Sequence, residues 1–225
     1  MRVALVPPAP GSLPHDCCAV AIDVLRATTT LAVARAHGAT LIVPFGSTAE
    51  AIAWRDAHPG TLACGERDGR IVPGFDLGNS PFEYTRERVA GATLAFASTN
   101  GSRAMLAASR ARRRLLGSFA NLTAITEALA AEPDIWLVCA GKLGHFALED
   151  AACAGTIAWR LRAQGATLDE AAAMAATLAC TTAAEVHAAV TQADHGRWLT
   201  SLGEGFPADV EFATRLDHVN DATDW

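Results

Sequence analysis

Short apolar runs that stop at polar residues, each followed by a stretch of helical composition, recur along this chain. Residues 17–22 are continuously apolar and end at Asp23, the pattern of a strand buried on both faces. Residues 28–36 are helical in composition and stop at Gly38, which suits the turn that closes a helix. A strand at 40–43 then precedes a helix that Ser47 or Thr48 can cap and that His58-Pro59-Gly60 ends. An apolar piece at 62–64 meets the polar loop 65–69. The stretch 73–79 is too rich in Gly and Pro to be regular, and Ser80-Pro81-Phe82-Glu83 after it is a capping box with proline at the first helical position.

The same unit returns with a strand at 94–97, the turn Ser98-Thr99-Asn100-Gly101 and a helix to about Arg110. Leu115-Leu116 with 121–131 repeats it, and a strand at 135–140 leads through Gly141-Lys142-Leu143-Gly144 to a helix at 148–161. Residues 168–190 are alanine-rich and helical, with a break near Thr181-Thr182. Alternation with short links predicts an α/β fold: a mainly parallel sheet covered by helices on both faces, with a helical C-terminal third. No tandem repeat or low-complexity linker divides residues 1–225, which read as one domain or two tightly packed lobes.

Ligands of open parallel sheets gather beyond the carboxyl ends of the strands. Four polar segments fall at such ends: 23–30, 65–67, 98–103, and 141 onward to Glu149-Asp150. Asp23 ends an apolar strand, where a carboxylate needs a cation or donors nearby. Arg26 and the hydroxyls of Thr28, Thr29 and Thr30 follow at a helix start, whose N–H groups attract oxyanions. A structural reading stands beside this: Thr28 caps the helix, and Asp23 pairs with Arg26. Asn100 is either part of a second anion-holding turn or a plain N-cap. Arg103 offers a forked contact to an anion. Asp76 either binds metal or forms an Asx-turn, and Glu149-Asp150 either serve the site or complement the helix dipole.

Composition narrows the chemistry. The balance of 18 Lys and Arg against 24 Asp and Glu gives a net charge of −6, which disfavours a nucleic-acid surface. No apolar run reaches the ~18 residues of a membrane span, and the apolar start breaks at Pro7-Pro8 before a signal core forms. Six cysteines show no metal or CxxC spacing, so the chain reads as soluble, reduced and cytoplasmic. Seven histidines form no HExxH or HxH pair. An oxygen-rich donor set then favours Mg²⁺ over Zn²⁺, while His145, His187 and His195 read as ordinary core or surface residues.

Two rival signatures fail. Cys64 to Arg70 fits C-x5-R in form, but no helix follows it. Leu25 stands where a DxD pair requires its second aspartate. There is no P-loop and no GxGxxG after a strand.

The segments 22–30, 65–67 and 73–81, with Thr99-Asn100-Gly101-Ser102-Arg103-Ala104, 117–121, 139–141 and 148–150, resemble the 2-phosphosulfolactate phosphatase family of coenzyme M biosynthesis. They span roughly residues 20 to 155 in the expected order. The resemblance implies Mg²⁺-dependent hydrolysis of a phosphate monoester that also carries carboxylate and sulfonate. It implies catalytic Asp23, Glu66 and Asn100, with Asp23, Glu66 and Asp76 as metal ligands. It further implies a substrate-binding set of Arg26, Thr28, Thr29, Thr30, Arg67, Asn79, Gly101, Arg103 and Glu149. Ala147 departs from the pattern where a small hydroxyl residue is expected. The attacking group is either metal-activated water or Asp23 itself. A non-catalytic binder of a sulfonated or phosphorylated metabolite is the alternative. The expected partner is a small anionic substrate, with no nucleic acid or membrane. The alanine-rich helices either cover the sheet or form a homodimer contact.

Overall fold

The fold, taken from a computed structural model, is described for residues 1–9, 13–222 and 224–225. The chain begins with β1 (Arg2–Val6), followed by β2 (Cys18–Ile22), α1 (Ala27–Ala36), β3 (Leu41–Pro44), α2 (Thr48–Ala57), β4 (Thr61–Arg67) and β5 (Arg70–Ile71). Next come α3 (Arg86–Val89), β6 (Thr93–Ala97), α4 (Gly101–Ala108), β7 (Arg113–Gly117), α5 (Leu122–Leu129), β8 (Asp134–Cys139) and α6 (Leu148–Ala163). A two-residue β9 (Thr167–Leu168) precedes the C-terminal helices α7 (Glu170–Ala175), α8 (Ala183–Thr191), α9 (Asp194–Ser201) and α10 (Phe206–Ala213).

The strands fall into two sheets where the sequence pattern suggested one. Five parallel strands run in the order β7-β2-β8-β1-β9, and a four-stranded mixed sheet runs β3-β6-β4-β5. Only β5 is antiparallel, forming a hairpin with β4. Its two-residue turn is Asp68-Gly69, both with positive φ, the geometry that the right-handed twist of a hairpin selects. Glu66 therefore stands on a strand, not in the polar loop expected at 65–69.

Side-chain size sorts the layers. On β2, Cys18, Val20 and Ile22 face α5, α6 and the C-terminal helices, in a core that includes Phe119, Ile157, Val186 and Val210. The opposite face carries only Ala19 and Ala21, and there α1 and α4 pack between the two sheets around Leu31, Met105, Leu94 and Phe96. Each large apolar side chain so buried contributes about 1.5–3 kcal/mol. On the far face of the second sheet, Ala63, Ala95 and Ala97 meet Ala51 of α2 and Phe75. Close approach is enforced at Gly65 (φ +130°), where a Cβ would lie 2.0 Å from the Ala97 carbonyl oxygen. Among the described residues, no single helix is long and apolar enough to cross a membrane.

Candidate active site

Both sheets direct strand tips at one cleft. Asp23 follows β2, Glu66 lies near the end of β4, and Thr99 and Asn100 follow β6. Together with Arg26, Asn79, Lys142, His195 and Trp198 they line a cavity of about 360 Å³. Asp23, Arg26, Glu66, Asn79 and Asn100 are thus brought together as the sequence anticipated.

The carboxylates are held differently. Glu66 accepts from the Thr99 N–H at 2.7 Å, the Gly69 N–H at 2.8 Å and the Thr99 hydroxyl at 3.3 Å. Burial pushes the Asp23 carboxyl up to about 7, with the His195 ring opposing the rise and Glu66 and Glu149 adding to it. Gly101, the first residue of α4, lets that carboxylate reach the helix start: a Cβ there would lie 2.6 Å from Asp23 Oδ2 and 2.4 Å from Ala27 Cβ. Asp150 accepts from the Val24 N–H and the Gly141 N–H, both at 2.9 Å, and so ties the β2 and β8 tips together. Burial raises its carboxyl well above the ordinary value, and Glu149 and Asp23 raise it further.

Asn100 does not cap α4 with its side chain. Instead its Oδ1 accepts from the Leu143 N–H at 2.9 Å, anchoring the loop that carries Lys142. The N-terminal turn is tied by Ser98 and Ser102, each hydroxyl accepting the other's N–H. Lys142 Nζ rests 4.4 Å from the Trp198 ring centroid with no carboxylate within ion-pair distance among the described residues. Partial desolvation lowers its ammonium below the ordinary lysine value, although Glu149 and Asp194 oppose this.

Several expected contacts are used elsewhere. The Thr28 hydroxyl donates to the Gly117 and Asp23 carbonyls at 2.7 and 2.9 Å, Thr29 to the Val24 carbonyl and Thr30 to the Asn79 carbonyl. All three are buried and pin α1, so none of these hydroxyls lines the cleft. Arg67 donates to the Glu66 carbonyl and also lies outside it. Asp76 is not with Asp23 and Glu66: it accepts from the Ala63 N–H at 2.8 Å and pairs with Arg55 at 3.4 Å. Arg103 is exposed and borders a separate cavity near Pro7 and Phe146. Glu149 is buried against His195 and reaches only a neighbouring cavity. Ala147 leaves α6 without a side-chain cap.

Arg26 reaches the cleft but is already engaged. Its guanidinium pairs with Asp209 of α10 at 2.5 Å, donates to the Gly69 carbonyl and stacks over Phe206 at 4.9 Å. Asp23 is therefore not its partner. The Ser80 hydroxyl completes Asp209 at 2.5 Å. The sequence reading missed Asp209, Trp198 and the cleft position of His195, all supplied by helices without a motif. Gly196 was the available signal, since a Cβ there would lie 2.1 Å from the Val190 carbonyl oxygen and displace α9. Cys64, the first residue of the C-x5-R match, is fully buried on β4 with its thiol pushed up by that burial, so it is no nucleophile.

For a hard divalent cation the fit is with few protein ligands. No cluster of three or more His, Cys, Asp or Glu at metal-binding distance occurs among the described residues. Mg²⁺ nevertheless takes one or two carboxylates and completes its shell with water and phosphate oxygens. Asp23 would supply the carboxylate. Asn79 Oδ1, buried and lacking any hydrogen-bond partner, would supply a second hard oxygen in the same cavity.

Converging strand tips, a buried carboxylate and a lysine with no carboxylate at ion-pair distance among the described residues thus share one polar cleft of an α/β fold. A family model described as 2-phosphosulpholactate phosphatase matches residues 6–222. A probable 2-phosphosulfolactate phosphatase of Thermotoga petrophila is 39% identical over 205 residues, covering 91% of this chain and 87% of that protein. One from Synechococcus sp. (strain JA-3-3Ab) is 39% identical over 216 residues, covering 94% and 88%. Another from Carboxydothermus hydrogenoformans is 40% identical over 205 residues, covering 90% and 84%. The chain belongs to the 2-phosphosulpholactate phosphatase family, which places it among the phosphoric monoester hydrolases.

Proposed function

We propose that this protein hydrolyses 2-phosphosulfolactate to sulfolactate and inorganic phosphate with Mg²⁺ as cofactor. The observation that carries the reading is the meeting of Asp23, Asn79, Asn100 and Lys142 in one cleft of about 360 Å³, a size suited to a small ester. Asp23 and Asn79 would hold the cation, which when bound offsets the negative charge of the phosphoryl oxygens. The start of α4 faces Asp23 at Gly101, where the helix dipole would favour a phosphoryl oxygen, although the Ser102 and Arg103 N–H groups are already held by the Ser98 hydroxyl and the Asn100 carbonyl. Lys142 is the cation left for the carboxylate or sulfonate, because Arg26 is committed to Asp209. Arg26 instead fixes the β4–β5 turn against α10 and so shapes the cleft wall.

With Mg²⁺ present, 2-phosphosulfolactate should yield equal amounts of phosphate and sulfolactate, and excess chelator should stop the release. Binding without phosphate release would make the protein a binder of this metabolite class and overturn the reading.

A further inference from the structure

Helices α6 and α9 form a carboxylate–imidazole pair whose imidazole lines the cleft and which the strand-tip residues leave without a role. His195, the second residue of α9, lines the cleft beside Lys142 and Trp198 and is 8% exposed. Its Nδ1 lies 3.1 Å from Oε1 of Glu149, which is 1% exposed. The ring is the one hydrogen-bond partner of that carboxylate group among the described residues. An ionised carboxylate only accepts, so Nδ1 carries the hydrogen and the orientation of the ring is fixed. Nε2 is then the nitrogen left for the cleft, and no described residue hydrogen-bonds to it. Charged groups that line the cleft with the ring are Asp23, Arg26, Glu66, Asp68 and Lys142, and Glu149 of α6 and Asp194 of its own helix line the neighbouring cavity with it.

We infer that His195 is the general acid of the hydrolysis, protonating the departing alkoxide oxygen, with Glu149 as its positioning residue. The inference rests on the hydrolase reading above. An alkyl phosphate leaves as a strongly basic alkoxide, and a proton delivered in the transition state removes that cost. As the oxygen of the hydrolytic water bonds to phosphorus, the ester P–O bond breaks and its electron pair goes to the alkoxide oxygen. That oxygen takes the proton from Nε2, leaving a neutral imidazole whose Nδ1–H stays on Glu149. The ring regains its proton from the hydrolytic water, so the balance is ester plus water to alcohol plus phosphate.

The test compares two esters on Mg²⁺-loaded protein: 2-phosphosulfolactate, with its alkoxide leaving group, and p-nitrophenyl phosphate, whose aryl oxide needs no proton. His195→Gln should lower kcat on the alkyl ester by ~10²-fold or more while changing the aryl ester less than about threefold. Glu149→Gln should fall between on the alkyl ester and spare the aryl one. The alkaline fall of the alkyl-ester profile should vanish in His195→Gln and move to lower pH in Glu149→Gln. Aryl turnover by each variant also reports that it is folded. Equal losses on both esters, or none on the alkyl ester, overturn the assignment. If the unaltered protein turns over only the alkyl ester, the pH profile decides: an alkaline limb that persists in His195→Gln overturns it. Release from neither ester by the unaltered protein defeats the hydrolase reading, and the general-acid role falls with it.

Discussion

Each sheet brings one buried carboxylate to the cleft, and the two are held in opposite ways. On the four-stranded sheet, Glu66 accepts two backbone N–H groups and a hydroxyl, so its oxygens already serve to join the β4–β5 turn to the β6 tip. On the five-stranded sheet, Asp23 is 4% exposed and its carboxyl is raised by burial to about 7. A saturated carboxylate holds a loop. An under-compensated one holds free energy that a cation or a proton can release. On the proposed reading, the same residue class at the same kind of strand tip serves architecture on one wall and chemistry on the other.

Paired amide substitutions give the largest test of that contrast. Asp23→Asn should reduce turnover by at least ~10²-fold, as for loss of a central electrostatic group, and leave the melting temperature equal or higher. Glu66→Gln should mainly lower stability, by about 1–3 kcal/mol, because one amide –NH₂ must face a backbone donor. Steady-state kinetics and denaturant unfolding of both variants separate the outcomes. If Glu66→Gln were the inactive, stable one, the roles of the walls would be exchanged.

A smaller effect lies in the pH dependence of stability. The folded Asp23 carboxyl titrates above its ordinary 3.8, so between about pH 4 and 7 the native state binds the proton more tightly than the unfolded state does. Without metal, stability should therefore fall as pH rises through that window. Asp150, raised in the same sense by burial, adds to the slope. Asp23→Asn should flatten the slope. Mg²⁺ held at Asp23, as proposed, would compete with the proton there, so its stabilising effect should grow toward pH 8. At about 100 times its Kd it contributes about 2.7 kcal/mol. Thermal melts at stepped pH, with and without Mg²⁺, measure this, and metal-free protein that gains stability from pH 5 to 8 would contradict it.

How far the sequence reveals this site depends on the range of the forces involved. The strand tips at Asp23 and Asn100 were legible because a continuous apolar run ended by a polar residue is a local pattern. The division into two sheets was not, since strand order is set by pairing between residues far apart, such as Ile22 with Cys139 and Gly65 with Ala97. Thr28 and Thr30 looked like anion donors because their acceptors, the carbonyls of Gly117 and Asn79, exist as neighbours only once the chain has folded. His195, Trp198 and Asp209 were hidden for the same reason: α9 lines the cleft and α10 holds Arg26 only through tertiary packing, which leaves no motif. The Asp68-Gly69 turn, by contrast, was local and readable, and it would have put Glu66 on a strand.

The smallest expected effect concerns Arg103, which the sequence placed with the anion-binding residues. It sits on the exposed side of α4 and borders a second cavity of about 360 Å³ with Pro7, Pro8, His145 and Phe146, while the helix start beside it faces Asp23. Two residues along a helix turn by about 200°, so Gly101 and Arg103 serve different surfaces. Arg103→Ala should leave kcat and KM for 2-phosphosulfolactate within about twofold, and stability within about 0.5 kcal/mol, as for other exposed positions. Steady-state kinetics at two salt concentrations check this. A tenfold or greater rise in KM that added salt reproduces in the unaltered protein would mean that part of the substrate charge is read from the second cavity. The cleft of Asp23 would then be half of a larger site, and the division of labour between the two walls would have to include a third.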